Sequence, residues 1–338
     1  MQCEWQAPVL LSGAHPAIAD PWDFAVSAEE DAVMAVLIET VGPAYRLPGA
    51  AMAILPDRRY AGAITSGCIE ADLILNADDI RATSGVRVLR YGEGSPFKDI
   101  QLPCGGGIDV MLFRLQDRNI LEQLAKVRKL RQPVSLVIGR EGRLSLGVYK
   151  KTARNLDSFS LGFEPPLRFV TFGAGPEASI FAGLVEGLGY GQTLISHDAT
   201  TVACTRASGN TSRELSHLSQ LNDVEIDSRT AAVLFYHDHD YEPEIIKRML
   251  ATPAFYIGAQ GSRATQRSRL KRLEEAGVHQ SELQRVRGPI GLIQSSRDPR
   301  ALAVSVLAEV LSVVANSADL SPNIKAGSLS EPDHSRYF

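Results

Sequence analysis

Residues 167–178 read LRFVTFGAGPEA. The first part alternates as a strand does, and Gly173-Ala174-Gly175-Pro176-Glu177-Ala178 then matches G-x-G-x-x-A before a helical stretch that runs to Gly187. In such a turn one glycine makes the tight bend, and the next lets backbone approach a pyrophosphate at a helix N-terminus. The match alone is weak; a strand before it and a helix after it are the context it requires. Outward from it, strands QTLIS (192–196), AAVLFYH (231–237) and AFYIG (254–258) alternate with helices PEIIKRML (243–250) and TQRSRLKRLEEAG (265–277), and an apolar helix follows from Pro299 to about Val314. Strands alternating with helices imply βαβ units and a mainly parallel, doubly wound, Rossmann-like sheet over 167–316.

In a parallel sheet the residues just past each strand gather on one rim, where ligands bind. Here these are Gly173, Ser196, His237 and Gly258. The rim also receives Gly175, Asp238 and the second glycine turn GAQGSR (258–263), in which Ser262 is expected to cap a helix and Arg263 to pair with a phosphate or carboxylate. A dinucleotide site calls for an acidic residue about 20 positions after the glycine turn. The second strand ends at Ser196, and Asp198 falls two residues later, so both are candidate ribose contacts. Arg267, Arg269, Lys271 and Arg272 are read as a solvated basic face, with Leu270 and Leu273 turned to the core. The run His237-Asp238-His239-Asp240 has metal-ligand residue types but needs partners from elsewhere, which favours polar contacts at a strand end over a metal.

The N-terminal half reads differently. Strand-like runs at 32–41, 50–55 and 60–65 surround the loop GPAYRLPG (42–49), and a helix follows Gly67. Strands at 86–92 and 108–115, a helix over about 117–131, and strands near 134–138 and 143–149 complete a mixed α+β domain over 26–151. The polar, doubly prolyl stretch 152–166 suits an interdomain linker. Residues 1–25 and 317–338 are expected to be tails.

Two cysteines of this domain sit among glycines. Cys68, in TSGCIEAD after Ser66 and Gly67, is expected in the first turn of a helix, where the dipole lowers a thiol's pKa. Cys104 is followed by Gly105 and Gly106 in LPCGGG. A free cysteine is more often a small buried hydrophobe, the reading kept for Cys3 and Cys204.

The 338 residues suit two domains of roughly 130–170 residues each. A net charge of −4 gives no positive field for nucleic acid or an anionic membrane. No signal peptide is expected, because Gly13, His15 and Pro16 interrupt the early apolar stretch. No run reaches the ~18 uninterrupted apolar residues of a membrane span. Four scattered cysteines without a C-x-x-C pair fit reduced thiols in the cytoplasm.

RLPGAAMAI (46–54), TSGCIEADL (65–73) and LPCGGGIDV (102–110), in that order, resemble the N-terminal domain of the XdhC/CoxI family. FYIGAQGSR (255–263), RLKRLEEAGV (269–278), GPIGL (288–292) and AVSVLAEVL (303–311) resemble its Rossmann domain, with GAGPEA and YHD between. The chain departs from the family pattern at Thr65, Leu47, Ser196 and Ile293. The resemblance implies a non-catalytic accessory factor for xanthine dehydrogenase-type molybdenum hydroxylases. Such a factor binds the molybdenum cofactor (molybdopterin), guards it while a cysteine desulfurase adds sulfur, and delivers it to the client enzyme. It implies Cys68 and Cys104 as molybdenum contacts beside Gly67, Gly105, Gly106 and Arg46, with the cofactor's phosphate held by glycine amides and Arg263. A homodimer is the default assembly. The alternatives are an NAD(P)-binding oxidoreductase, for which no Tyr-x-x-x-Lys pair is evident, and a thiol-dependent sulfur carrier.

Overall fold

The computed structural model describes residue 16 and residues 19–317, except 29, 66, 68, 84, 97–101, 104, 237–240, 294 and 295. Its backbone divides into two compact units that meet in sequence at Pro165 and Pro166.

The N-terminal unit opens with α1 (Pro21–Ser27), which corrects the expectation of a tail through residue 25. Asp20 caps it by accepting from the Trp22 and Asp23 N–H groups, and Pro21 occupies the first turn, where its missing donor costs nothing. Seven residues carry too little periodicity to be seen, but Asp-Pro was a legible start signal. Trp22 and Ala25 anchor the helix in the core.

Strands β1 (Val33–Val41), β2 (Ala51–Ile54), β3 (Tyr60–Gly62), β4 (Val86–Gly92) and β5 (Gly107–Arg114) form an antiparallel sheet ordered β3-β2-β1-β5-β4. β1 is apolar on both faces because both are covered. Val33, Ala35 and Leu37 pack towards α2 (Glu70–Thr83), among Leu73, Ala77 and Ile80. Met34, Val36 and Ile38 join the core made with α3 (Arg118–Lys129) and a second sheet.

That second sheet comprises β6 (Val134–Gly139), β7 (Leu144–Gly147), β8 (Ala153–Arg154) and β9 (Ser158–Phe163), ordered β7-β6-β9-β8. Residues 152–166, expected as a linker, therefore supply two strands. Phe159 and Leu161 alternate into the core, a period-2 signal hidden among serines and glycine.

The C-terminal unit contains β10 (Arg168–Gly173), α4 (Pro176–Gly187), β11 (Gly191–Ser196), α5 (Ala199–Ala207) and β12 (Ser212–Glu214). A 3-10 turn at Leu218–Asp223 leads to β13 (Thr230–Phe235), α6 (Glu242–Leu250), β14 (Tyr256–Ala259), α7 (Arg263–Glu275), α8 (Gln280–Leu283), β15 (Val286–Arg287) and α9 (Pro299–Asn316). Its six strands are all parallel, ordered β12-β11-β10-β13-β14-β15. In chain sequence that is 3-2-1-4-5-6, the Rossmann order with its switch point between β10 and β13. Phe169, Ala231, Val233 and Phe235 pack against α4 and α9 on one face. Val170, Phe172, Ala232 and Leu234 pack against α6 and α7 on the other. α9 is the one helix among the described residues long and apolar enough to cross a membrane. Its Leu302, Ala303, Val306 and Val310 belong to the first of these cores, which accounts for its composition.

Candidate functional site

Antiparallel pairing fixes where the N-terminal loops emerge. β1 ends at Val41, β2 begins at Ala51, β3 ends at Gly62, β4 ends at Gly92 and β5 begins at Gly107. Because Met52 pairs with Gly62, Val36 with Ala51, Val41 with Gly107 and Gly92 with Gly107, all five termini face the same end of the sheet, those of β2 and β3 level with Val36 and those of β4 and β5 level with Val41. The loops over 42–50, 63–69 and 93–106 consequently leave from a single rim. These are the loops that hold Arg46, Gly67, Gly105 and Gly106. Cys68 and Cys104 belong to the same loops in sequence but lie outside the described residues.

Close backbone contact holds the rim together. A side chain on Gly106 would lie 2.0 Å from the Pro43 carbonyl oxygen and 2.7 Å from that of Val41, so only glycine lets these loops nest. The Glu93 N–H donates to the Gly106 carbonyl at 3.1 Å. Gly67 (φ +109°) and Gly105 (φ +74°) take left-handed backbone with open space where a Cβ would be, leaving their main chain approachable. Arg46 is exposed, with its guanidinium carbon 5.9 Å from the Tyr45 ring centroid.

Sequence reasoning missed the residue that organises the 63–69 loop. Glu70, 7% exposed, accepts from the Ile64 N–H (3.1 Å), the Thr65 N–H (2.6 Å), the Thr65 hydroxyl (2.8 Å) and the Ile69 N–H (3.2 Å). Burial pushes its carboxyl up, and the hydrogen bonds from Thr65 and Ile69 outweigh that, so its pKa falls below the ordinary carboxylate value. Two residues on, Asp72 accepts from the Tyr91 hydroxyl at 2.5 Å and ties the start of α2 to β4. Burial, then this hydrogen bond to a carboxylate, raises the Tyr91 pKa far above its usual range. An acid just after a Ser-Gly loop was the available signal.

In the C-terminal unit, Gly173 and Gly175 lie where the motif placed them, at the switch point. A Cβ on Gly173 would stand 2.7 Å from the Phe235 carbonyl oxygen, so the residue is required by strand packing. The Gly175 N–H donates to the Thr201 hydroxyl oxygen at 2.8 Å, and the Thr201 hydroxyl donates in turn to Asp198. Asp198 also caps α5 by accepting from the Thr200 and Thr201 N–H groups. These bonds, the Thr201 side chain's first, hold its pKa below the usual carboxylate value. Ser196 is fully buried, and its hydroxyl accepts from the Asp198 N–H at 3.0 Å. Both candidate ribose contacts are thus engaged within the fold, with Ser196 beneath the rim rather than on it.

Gly258 makes room for the Tyr256 ring, which would otherwise lie 2.4 Å from its Cβ and whose hydroxyl donates to Glu309 at 2.8 Å. Ser262 caps α7 by accepting from the Thr265 N–H, and Arg263 is exposed in the first turn. His237 and Asp238 lie outside the described residues. Tyr236 and Tyr241, which flank that segment in sequence, stack on the His197 ring (5.4 and 4.5 Å), an arrangement that the sequence reading did not anticipate. Among the described residues no group of three His, Cys, Asp or Glu side chains could hold a metal ion.

Arg269 corrects the reading of α7 as solvated on its basic face. It is 1% exposed, bonded to both Glu242 oxygens (2.6 and 3.0 Å), to Gln266 and to the Gln260 carbonyl at 2.6 Å. It ties the GAQGSR turn to α6, and α7 is amphipathic through a paired charge as well as through leucine.

An antiparallel α+β unit followed by a parallel Rossmann unit defines a recognisable class of two-unit proteins. The family model for the XdhC Rossmann domain matches residues 169–310, and that for the XdhC and CoxI family matches residues 25–92. The chain is 34% identical to the molybdenum cofactor insertion chaperone PaoD of Escherichia coli (strain K12), over 86% of this chain and 85% of that protein. It is 24% identical to a probable xanthine dehydrogenase subunit of Bacillus subtilis (strain 168), over 86% and 95%. A crystal structure described as a xanthine dehydrogenase from Bacillus halodurans shares the fold, with a TM-score of 0.72 at 19% identity, covering 89% of this chain and 97% of that one. The chain belongs to the XdhC and CoxI family.

Proposed function

We propose that this protein binds the molybdenum cofactor as cargo and assists its sulfuration and insertion into a xanthine dehydrogenase-type client. The observation that carries this reading is that three glycine-containing loops leave from the same end of the N-terminal sheet, two of them nested at Gly106. Two of those loops contain Cys68 and Cys104. Thiolate is a suitable soft neighbour for a molybdenum–sulfur centre. Accessible glycine backbone at Gly67 and Gly105 lets a ligand approach the main chain. Glu70 holds one loop in place before any ligand arrives, which lowers the ordering cost of binding. The 34% identity to a protein named as a molybdenum cofactor insertion chaperone supports the same reading.

A cytoplasmic homodimer, working with a cysteine desulfurase, completes the proposal. The Rossmann unit then serves as scaffold, with Gly173 and Gly175 shaping its switch point. The purified chain, given free molybdenum cofactor, is expected to bind it and to lose affinity in C68S/C104S. No binding by the wild-type chain, or binding indifferent to both substitutions, overturns the proposal. Persulfide on either cysteine after incubation with a desulfurase would instead identify a sulfur carrier. Nicotinamide-dependent turnover that survives both substitutions would identify an oxidoreductase.

A further inference from the structure

Within the N-terminal unit a recess of about 340 Å³ opens beside the rim. Its size is at the lower end of the roughly 300–1,000 Å³ of small-molecule sites. Ala51, Gly62 and Ala63 form part of its lining, the Trp22 and Phe163 rings wall it edge to face (6.1 Å, 87°), and Arg46 contributes the cation. Its floor at Gly62 admits no side chain: a Cβ there would lie 2.2 Å from the Ala51 carbonyl oxygen of the neighbouring strand.

The charges of the recess do not balance. Asp20 is the carboxylate among the described lining residues, and it is already committed, pairing with Arg128 at 2.6 Å while capping α1. Arg46 has no hydrogen bond or ion pair among the described residues and rests only against Tyr45. A guanidinium with unspent donors beside an aromatic, small-residue recess favours a planar ligand that ends in an oxyanion. Ala63 runs directly into the loop held by Glu70, and Arg46 lies on the loop that nests against Gly106. The recess therefore adjoins, through Ala63 and the loop of Arg46, two of the loops that leave this end of the sheet.

We infer that this recess is the oxyanion-binding end of the site and that Arg46, rather than Arg263 of the Rossmann unit, holds the phosphate of the bound molecule. This rests on the proposal that the rim carries the molybdenum cofactor, and it assigns the cofactor's phosphate end to this recess. Arg46 is exposed, so its replacement leaves the core intact.

The test titrates the full chain and its R46A, R46K and R263A variants with molybdenum cofactor, native and phosphatase-treated, and separately with inorganic phosphate read by phosphorus NMR. R46A is expected to weaken native cofactor about tenfold or more, and to leave the dephosphorylated form unchanged. R46K should recover part of the loss, and R263A should match wild type. Equal weakening of both forms by R46A, no weakening, or phosphate dependence that follows Arg263 overturns the inference. If wild type binds no cofactor but phosphate binding still requires Arg46, the oxyanion site stands and the cofactor reading falls. If neither probe depends on Arg46, the inference itself falls.

Discussion

The Glu70 carboxylate accepts from both the backbone N–H and the hydroxyl of Thr65, at 2.6 and 2.8 Å, inside the unit's core. Helix α2 thereby grips the loop that precedes it, with Ile64 and Ile69 held by the same side chain. A buried acceptor with four donors is a fixed structure, and it decides how the main chain around Gly67 is presented.

Replacing Glu70 by glutamine keeps the shape but turns an amide N–H₂ towards groups that donate. E70Q should destabilise the N-terminal unit by about 1.5–3 kcal/mol, the worth of hydrogen bonds to a charged group. Urea unfolding followed by fluorescence, with buried Trp22 as reporter, measures it. Because the folded-state pKa lies below the ordinary 4.5, the carboxylate's stabilisation is complete above that value and is lost as pH falls through the folded-state pKa. The gap between wild type and E70Q should therefore narrow on acidification below 4.5, and a constant gap would contradict the assignment.

Arg269 and Glu242 form a pair that solvent does not reach, at 1% and 2% side-chain exposure. Removing one partner strands the other charge. R269M or E242Q alone should cost the C-terminal unit about 3–5 kcal/mol, while R269M/E242L should recover part of that loss. Thermal unfolding of the three proteins checks this, and a double variant no better than R269M would locate the pair's value in the Gln260 carbonyl contact instead.

Arg269 also shows where reading the sequence stops. Its neighbours Arg267 and Lys271 make the helix look solvated, and only the tertiary position of Glu242, 27 residues away, reveals the pair. The parallel Rossmann-like class was legible because the central strands and their helices leave apolar runs, whereas the full strand order was not, since β12 and β15 are only three and two residues long. The second sheet was harder, since β8 and β9 are short and polar at their ends. The sequence showed the Arg46, Gly67 and Gly105 loops one by one. Their common rim depends on antiparallel register, which no local pattern encodes.

Asp198 caps α5 and steadies Thr201, which receives the Gly175 N–H. D198A should lower stability by about 0.5–2 kcal/mol through the lost cap. If the carboxylate's role is internal, titrations with NAD(H) and NADP(H) will be the same for D198A and wild type. A selective loss of nicotinamide nucleotide binding would restore Asp198 as a ribose contact.

Three glycines in and after the turn make separable predictions. Gly173 has no room, with a Cβ placed 2.7 Å from the Phe235 carbonyl oxygen and 2.9 Å from its Cβ, so G173A must push β10 from β13 and should cost about 1–3 kcal/mol. Gly175 has room but sits at φ +88°, ψ −171°, a region that is essentially glycine's alone, so G175A should also cost about 1–3 kcal/mol, through backbone strain. Gly187, the last residue of α4, has neither constraint: no atom lies within 4 Å of its Cβ position and its φ is not left-handed. G187A should be neutral or stabilising by up to about 1 kcal/mol, because alanine loses less backbone freedom on folding. Melting temperatures of the three variants measure the order, and G175A as benign as G187A would show that the turn relaxes to another conformation.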